Sequence, residues 1–331
     1  RCAAAADTQA RGGEARGIQA HPVDAACARA SQGACMILAL VEALRPKQWT
    51  KNLLIFVGVV FAQHAGDPVL LERAAAGFLA FSLLAGTVYL INDLRDVEAD
   101  RQHPRKSRRP IASGRLPAAT AWAALPVVLV LAGVLSWWLG TGFALVLLVY
   151  LVNNVLYSFV LKRVVVLDVM LIALGFMLRA MAGVELLLPV APSTELSMWL
   201  LVCTFFGALF LGVSKRRREL VNAGEQAPGQ RAVLRAYTPE LLDVMLAVSA
   251  SLTVMAYALY TMWPTTVAKF HTELLIITVP FVAFGVFRHL VLVRVSETSE
   301  DPSMVLLTDR PTQLNLACFL ASALWVLYSH R

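Results

Sequence analysis

Carboxylates crowded directly after a long apolar run are the residues of this sequence best suited to chemistry. The segment NDLRDVEAD runs from Asn92 to Asp100 and includes Asp93 and Asp96. If one helix continues through it, Asn92, Asp96 and Asp100 lie one above another, and Asp93 lies on an adjoining stripe. Like charges at these spacings repel, whereas Mg²⁺ binds hard oxygen atoms and commonly combines one or two carboxylates with substrate phosphates. The spacing therefore favours a site in which Asp93, Asp96 and Asp100 bind Mg²⁺ beside a diphosphate.

The alternative is a solvated helix end whose acids only pair with neighbouring arginines. The carboxylates begin abruptly after the apolar run, and the loop that follows them, RQHPRKSRRPIASG, places cations between Pro104 and Pro110. Two further basic patches are RPKQWTKN at 45–52 and SKRRREL at 214–220. Membrane-surface anchoring explains part of this charge. The remainder suits a polyanionic substrate, because Arg and Lys both bind phosphate oxygens.

Membrane-spanning helices are the elements that must position these residues. The chain has 331 residues, of which 58% are hydrophobic and 15% charged. A soluble domain carries about a quarter charged residues, so we predict an all-α polytopic membrane protein. Nine apolar runs are long enough to span a bilayer: 49–66, 74–92, 116–135, 141–160, 164–188, 196–213, 240–262, 272–293 and 313–330.

The net charge of +7 is distributed in a way that indicates topology rather than nucleic-acid binding. Alternate loops are assigned to alternate sides of the membrane. The loops on the side opposite the Asp-rich motif, together with the C-terminal end, then hold only three Lys or Arg residues: Arg73, Lys269 and Arg331. This bias is the positive-inside pattern. We therefore predict an integral protein of the plasma (inner) membrane, with its N-terminus and active site cytoplasmic and its C-terminus outside.

The fifth predicted span carries Asp168 near its start and Arg179 about three turns further along. A charge at the centre of a span costs about 2.5–3.5 kcal/mol on insertion scales and usually faces a bundle interior or a cavity. A polar contact between helices is the structural alternative to a functional role. Both residues are therefore candidates for a site inside the bundle.

The chain is expected to have a disordered N-terminal tail over 1–35, rich in Ala and Gly, followed by one transmembrane domain over 36–331. The segment 36–46 is too short to span and is predicted to lie along the inner interface. Five cysteines show neither paired spacing nor zinc-site spacing, and the sequence has no Gly-rich phosphate loop.

NDLRDVEAD at the end of a second span, in a chain with nine spans, resembles the first signature NDxxDxxxD of the UbiA superfamily of intramembrane prenyltransferases. Members typically carry a second Asp-rich motif after the sixth span, where this chain has the basic SKRRRELVNAGE. The chain instead resembles the branch typified by decaprenyl-phosphate phosphoribosyltransferase. The matching segments are LRPKQWTKN at 44–52, DRQHPRKSRRPIASG at 100–114, Lys162 to Asp168, and LRAMAG at 178–183.

This resemblance implies a Mg²⁺-dependent transfer of 5-phosphoribose from 5-phosphoribosyl 1-diphosphate to a polyprenyl phosphate, with a cytoplasm-facing site and release of diphosphate, in cell wall biosynthesis. It implies that Asp93, Asp96 and Asp100 hold the metal and that Asp168 orients the ribose. The residues expected to bind substrate are Lys47, Lys51, Asn52, Asn92, Arg101, Lys106, Arg109, Lys162 and Arg179, with Lys215 and Arg216 for the 5-phosphate.

Two other functions remain open at this point. One is a UbiA-type prenyltransferase that moves an isoprenoid chain onto an aromatic or lipid acceptor. The other is a transporter, which would need a polar path across the membrane, whereas the charges here gather at one end. We expect membrane lipid as a partner and no nucleic acid, and a homo-oligomer is compatible with the sequence.

Overall fold

The computed structural model describes residues 33, 35–61, 66–104, 106–192, 194, 197–223, 232–295 and 309–329. Nearly all of the predicted N-terminal tail (1–35) lies outside the described residues. Residues 296–308 also lie outside them.

Every regular element of the described residues is a helix, which confirms the all-α class. The α-helices are α1 (35–43), α2 (Val57–Phe61), α3 (Pro68–Arg95), α4 (Val97–Gln102), α5 (Ala118–Leu139), α6 (Thr141–Phe159), α7 (Leu167–Glu185), α8 (Met198–Ala223), α9 (Pro239–Met262), α10 (Pro264–Phe270), α11 (Val279–Val295) and α12 (Arg310–Ser329). Short 3₁₀ helices cover Pro46–Phe56, Lys106–Arg108, Leu161–Arg163, Ala232–Ala236 and Leu274–Thr278.

Within the described residues, seven helical stretches are long and apolar enough to cross a membrane: α3, α5, α6, α7, α8, α9 and Leu274–Arg294. The polytopic membrane class is thereby confirmed, whereas the predicted count of nine spans is not. The first predicted span, 49–66, is not one continuous α-helix, because Pro46–Phe56 is a 3₁₀ helix that passes into the five-residue α2. The last, 313–330, falls almost entirely within α12.

Local sequence signals explain where two of the spans begin. The side chain of Asp67 accepts hydrogen bonds from the backbone N–H groups of Val69 and Leu70, and Pro68 occupies the first turn of α3. The hydroxyl of Thr238 does the same for the N–H of Leu241 at the start of α9. Such caps satisfy N–H groups that have no partner within the helix.

Helix α7 lies between two apolar clusters and contacts both. On one side it packs with α3, α6 and the 46–61 segment around residues such as Phe81, Phe143 and Leu178. On the other side it packs against α8, which in turn packs against α9, around Val169 and Leu242. Charged residues placed along α7 can therefore reach partners from both halves of the bundle.

The 46–61 segment approaches α7 so closely that only glycine fits at the contact. A Cβ atom on Gly58 would overlap the backbone oxygen of Gly183, and a Cβ on Gly183 would overlap that of Ile55. Small residues at such crossings let helix backbones approach closely in membranes. The contact fixes the position of the 46–56 segment, which carries two of the predicted lysines.

Large apolar side chains cover the outside of the bundle, as expected for surfaces that face lipid. Trp122, Val130 and Trp137 of α5 are all well exposed, with Trp137 exposing 77% of its surface. The short helix α1 exposes Ile37 and Leu38 in the same way while burying Ala39 and Ala43 against α3 and α5. This two-faced packing supports the prediction that α1 lies along the interface.

Candidate active site

The predicted Asp-rich motif lies where α3 passes into α4. Helix α3 ends at Arg95, and Asp96 takes a non-helical conformation (φ −97°, ψ 13°) before α4 begins at Val97. The backbone N–H of Asp100 still donates to the carbonyl of Asp96, at 2.8 Å, so the chain bends without losing its helical hydrogen bonds.

Asp93 and Asp100 are brought together with two arginines, and we call these four residues the α3 cluster. Arg109 Nη1 donates to Asp93 Oδ1 at 3.0 Å and to Asp100 Oδ2 at 2.5 Å. Arg45 Nη2 donates to the same Asp93 oxygen at 2.6 Å. Both carboxylates are buried, with 3% of each side chain exposed, whereas both arginines are 28% exposed.

The α3 cluster opens into a cavity of about 280 Å³. Its lining includes Asp93, Arg45 and Arg109, together with Arg108 and Pro110. The ammonium group of Lys106 lies 3.9 Å from Asp100 Oδ1. The lining therefore combines two carboxylates, Asp93 and Glu42, with three guanidinium groups, and this excess of positive charge favours a phosphorylated compound.

The predicted stack of Asn92, Asp96 and Asp100 on one face is wrong. Asp93 and Asp100 are seven residues apart, which is nearly two full turns, and they converge on Arg109. The bend leaves the Asp96 side chain 45% exposed, where it pairs with Arg95 at 3.4 Å. The amide of Asn92 donates to the Ser158 hydroxyl at 3.4 Å.

No three Asp, Glu, His or Cys side chains of the described residues lie close enough together to form a metal site. The donor set of the α3 cluster nevertheless fits a hard divalent cation, because two buried carboxylates converge on one positively charged nitrogen. Metal binding at this position would require Arg109 to leave the carboxylates.

Asp168 anchors a second group, the α7 cluster, which consists of Asp168, Arg216, Glu219 and Tyr237. Its carboxylate accepts from Arg216 Nε at 2.6 Å and from the Tyr237 hydroxyl at 2.7 Å. Arg216 Nη1 also donates to Glu219 at 2.7 Å. Asp168 and Arg216 are almost completely buried, and Nη2 of Arg216 is buried without a hydrogen-bond partner among the described residues.

The turn before Asp168 is strained, and Tyr237 holds it. Val166 has φ 71°, a left-handed conformation that β-branched residues rarely adopt. Its N–H donates to the Tyr237 hydroxyl at 2.8 Å, while that hydroxyl donates to Asp168. Burial, with a further contribution from Asp168, raises the pKa of Tyr237, so its hydroxyl stays protonated and keeps donating. Strain of this kind is often found at functional sites.

Arg179 does not join either cluster, since about three turns of α7 separate it from Asp168. Its guanidinium donates to Asn52 Oδ1, Gly175 O and Tyr150 Oη, each at 2.7 Å. Asn52 donates in turn to Ser82 at 2.9 Å. Every one of these bonds is internal to the bundle, and Arg179 is only 7% exposed.

The other predicted substrate-binding residues lie nearer the surface. Lys47 and Lys51 are exposed on the 3₁₀ helix Pro46–Phe56, and Lys162 and Lys215 are half-buried. Arg101 is 52% exposed and pairs with Glu98 at 2.7 Å. The structure thus groups Arg109 and Lys106 with the buried aspartates.

Sequence reasoning missed Arg45 and Tyr237 as candidate residues. Arg45 lies 48 positions from its partner Asp93, and Tyr237 lies 69 positions from Asp168. For Arg45 the available signal was its place in the basic patch beside Pro46. For Tyr237 no local pattern distinguishes it from the other tyrosines.

Comparison with known proteins places this geometry in a family context. The profile of the UbiA prenyltransferase family matches residues 53–309. The decaprenyl-phosphate phosphoribosyltransferase of Mycolicibacterium smegmatis is 38% identical over 229 residues, which cover 68% of this chain and 70% of that protein. The enzyme of the same name from Mycobacterium tuberculosis is 39% identical over 233 residues, covering 68% of this chain and 74% of that protein.

Solved structures agree on the fold. A UbiA homolog from Archaeoglobus fulgidus bound to GPP and Mg²⁺ superposes with a TM-score of 0.65, covering 87% of this chain and 99% of that one at 20% identity. The same homolog bound to Cd²⁺ gives a TM-score of 0.62.

Proposed function

The chain belongs to the UbiA prenyltransferase family, and from this premise we propose that it transfers 5-phosphoribose from 5-phosphoribosyl 1-diphosphate to a polyprenyl phosphate. The observation that carries the proposal is the cavity of about 280 Å³ in which Arg45, Arg108 and Arg109 surround Asp93. Relatives 38–39% identical to this chain are decaprenyl-phosphate phosphoribosyltransferases. A donor with both a diphosphate and a 5-phosphate needs more cationic partners than a prenyl diphosphate does.

In the proposed reaction the bond between ribose C1 and the diphosphate oxygen breaks, and diphosphate leaves with the electron pair. A phosphate oxygen of the lipid forms the new bond to C1. No general base is required, because a phosphate monoester is already ionised at neutral pH. Stabilisation of the leaving diphosphate is therefore the main task of the protein.

Asp93, Asp96 and Asp100 are the residues that we propose for a divalent cation, with Mg²⁺ as the expected ion. When bound, this ion would neutralise charge that develops on the leaving diphosphate. Arg45, Arg108 and Arg109 line the cavity and would bind phosphate oxygens, with Lys106 beside them. Guanidinium groups suit this role because they form paired hydrogen bonds with phosphate.

Asp168 is proposed to act through Arg216 rather than on the ribose directly. Its carboxylate is buried and already bound by Arg216 and Tyr237. Arg216 Nη2 retains unused hydrogen-bonding capacity, and Lys215 is the adjacent residue in the chain. These two cations remain our candidates for the 5-phosphate, with Asp168 as the residue that positions Arg216.

The proposed function is tested with purified protein in lipid nanodiscs, given labelled phosphoribosyl diphosphate, polyprenyl phosphate and Mg²⁺. We expect a labelled lipid that extracts into organic solvent and whose formation stops when EDTA removes the metal. A parallel reaction receives labelled isoprenyl diphosphate with an aromatic acceptor. Product only in the parallel reaction would show the alternative prenyltransferase and overturn the proposal.

The cytoplasmic position of the site in the plasma membrane is a second proposal, supported by the distribution of Lys and Arg. It is tested by attaching a reporter to the C-terminus in intact cells. Protease added from outside should remove the reporter, and full protection of the reporter would reverse the proposed orientation.

A further inference from the structure

We propose that Arg45 and Arg109 are exchangeable counterions: they occupy the cation position between the α3-cluster carboxylates in the free protein and move to the donor phosphates when a divalent metal binds. The donor half of this inference rests on the proposed function. The metal half rests only on the contacts of the described residues.

The first step of the argument is that one nitrogen bridges both carboxylates. Arg109 Nη1 lies 3.0 Å from Asp93 and 2.5 Å from Asp100, so it stands where a shared cation would stand. Because an arginine nitrogen and a metal ion cannot occupy one position, metal binding requires Arg109 to withdraw. Its side chain is 28% exposed and faces the cavity, which gives it room to do so.

Arg45 is the second counterion and comes from a different part of the chain. It contacts the same oxygen of Asp93 at 2.6 Å and stacks on the Tyr89 ring at 4.6 Å from the ring centre. Its backbone is left-handed, with φ 55°, at the junction between α1 and the 3₁₀ helix Pro46–Phe56. A non-glycine residue held in this conformation is uncommon, and here it directs the side chain across to Asp93.

Charge balance sets the order of exchange. Two carboxylates and two arginines are neutral together, so a divalent cation added alone would leave an excess of positive charge in a partly buried site. That excess is unfavourable at low effective dielectric. An anionic donor removes it by accepting the two arginines that already line its cavity. The arrangement therefore makes metal and donor bind cooperatively and keeps metal alone weakly bound.

The inference is tested by titrating the detergent-solubilised full-length protein with Mn²⁺ alone and measuring bound ion by electron paramagnetic resonance. Arg45→Gln and Arg109→Gln free a carboxylate from its counterion, so each should tighten Mn²⁺ binding by roughly tenfold. With Mn²⁺ saturating, the same variants should bind labelled phosphoribosyl diphosphate roughly tenfold more weakly. These opposite signs separate exchange from a simple positioning role, which would weaken both.

Arg294→Gln is the matched control, since it removes one positive charge from a residue that pairs with Asp243 at 3.4 Å. Its Mn²⁺ affinity should equal that of the unaltered protein. Arg109→Lys keeps the charge and should bind Mn²⁺ less tightly than Arg109→Gln. If Arg109→Gln does not fold, Arg45→Gln decides alone. Unchanged or weaker Mn²⁺ binding in the Gln variants would overturn the inference, whereas failure of the unaltered protein to bind phosphoribosyl diphosphate would overturn only the proposed function.

Discussion

The α3 and α7 clusters pair the same two kinds of ion but differ in their access to solvent. In the α3 cluster both arginines are 28% exposed and border a cavity. In the α7 cluster Arg216 is 1% exposed, and its partner Asp168 is not exposed at all. The arginines of the α3 cluster can exchange partners with a ligand at small cost, whereas breaking the Asp168–Arg216 pair would remove one of the few partners of a buried charge.

This difference in exposure indicates that the two clusters have different roles, although both appear in the sequence simply as Asp and Arg residues. The α3 cluster has the access that substrate chemistry requires. The α7 cluster has the rigidity required to hold a strained turn and to fix α7 against α8, since Asp168 lies on α7 and Arg216 on α8. Substitutions in the α3 cluster should therefore affect mainly activity, and substitutions in the α7 cluster mainly folding.

Asp168→Ala should have the largest effect, a loss of stability. It tests whether the α7 cluster is structural, as the comparison of the two clusters requires. It leaves Arg216 buried with Glu219 as its one remaining carboxylate partner in the α7 cluster, which is expected to lower the free energy of unfolding by about 3 kcal/mol, the lower end of the range for breaking a buried ion pair. The measurement is thermal unfolding in detergent, with the yield of folded protein as a second readout. A variant as stable as the unaltered protein would show that the buried ion pair contributes little to the fold.

Asp93→Asn should show the opposite pattern, with a large loss of activity and a small loss of stability. We expect transfer to fall by roughly 10²–10³-fold, because stabilisation of the leaving diphosphate is lost. Arg45 and Arg109 can turn into the cavity, so the unfolding temperature should change little. Labelled-lipid formation and thermal unfolding are measured on one preparation. Destabilisation as great as that of Asp168→Ala would remove the distinction between the clusters.

Tyr237→Phe sharpens the comparison within the α7 cluster. It removes the hydroxyl that accepts from the strained Val166 and donates to Asp168, so the unfolding free energy should fall by about 1–3 kcal/mol. If the turn positions Arg216, the KM for phosphoribosyl diphosphate should also rise.

Tyr257→Phe is the control for that variant, because it removes a partly buried tyrosine hydroxyl that hydrogen-bonds to Thr278, outside both clusters. It should lower stability less and leave KM unchanged. Equal KM values in both tyrosine variants would limit Tyr237 to a structural role.

Glu42→Gln tests the surface attachment of α1 to Arg115, in the segment before α5, and should have the smallest effect. Two hydrogen bonds from Arg115, at 2.6 and 2.8 Å, hold the pKa of Glu42 below its ordinary value of 4.5. A depressed folded-state pKa contributes stability that is complete above pH 4.5 and declines as the pH falls through the folded-state pKa.

The unaltered protein should therefore lose some protection of α1 below pH 4.5, by less than about 1 kcal/mol because the pair is exposed. Glu42→Gln should lack this part of the pH dependence. Hydrogen exchange of residues 35–43, corrected for the intrinsic rate at each pH, measures the difference. Identical pH profiles for the two proteins would mean that the pair does not hold α1.

The sequence predicted most of the long helices, because runs of apolar residues long enough to cross a bilayer carry their own signal. It did not predict the 3₁₀ helix Pro46–Phe56, whose eleven residues are too few to distinguish one helical period from another. Composition identified the Asp-rich motif but neither the bend at Asp96 nor the convergence of Asp93 and Asp100 on Arg109. The partners Arg45 and Tyr237 depend on long-range packing, which no local pattern records.

The contact between Gly58 and Gly183 has a consequence for how a bulky lipid reaches the interior. Because no side chain separates the two backbones there, no rotamer change can widen the seam between the 46–61 segment and α7. The contact therefore keeps the 46–56 segment, which carries Lys47 and Lys51, close against α7. An isoprenoid chain would therefore have to enter the bundle between other helices.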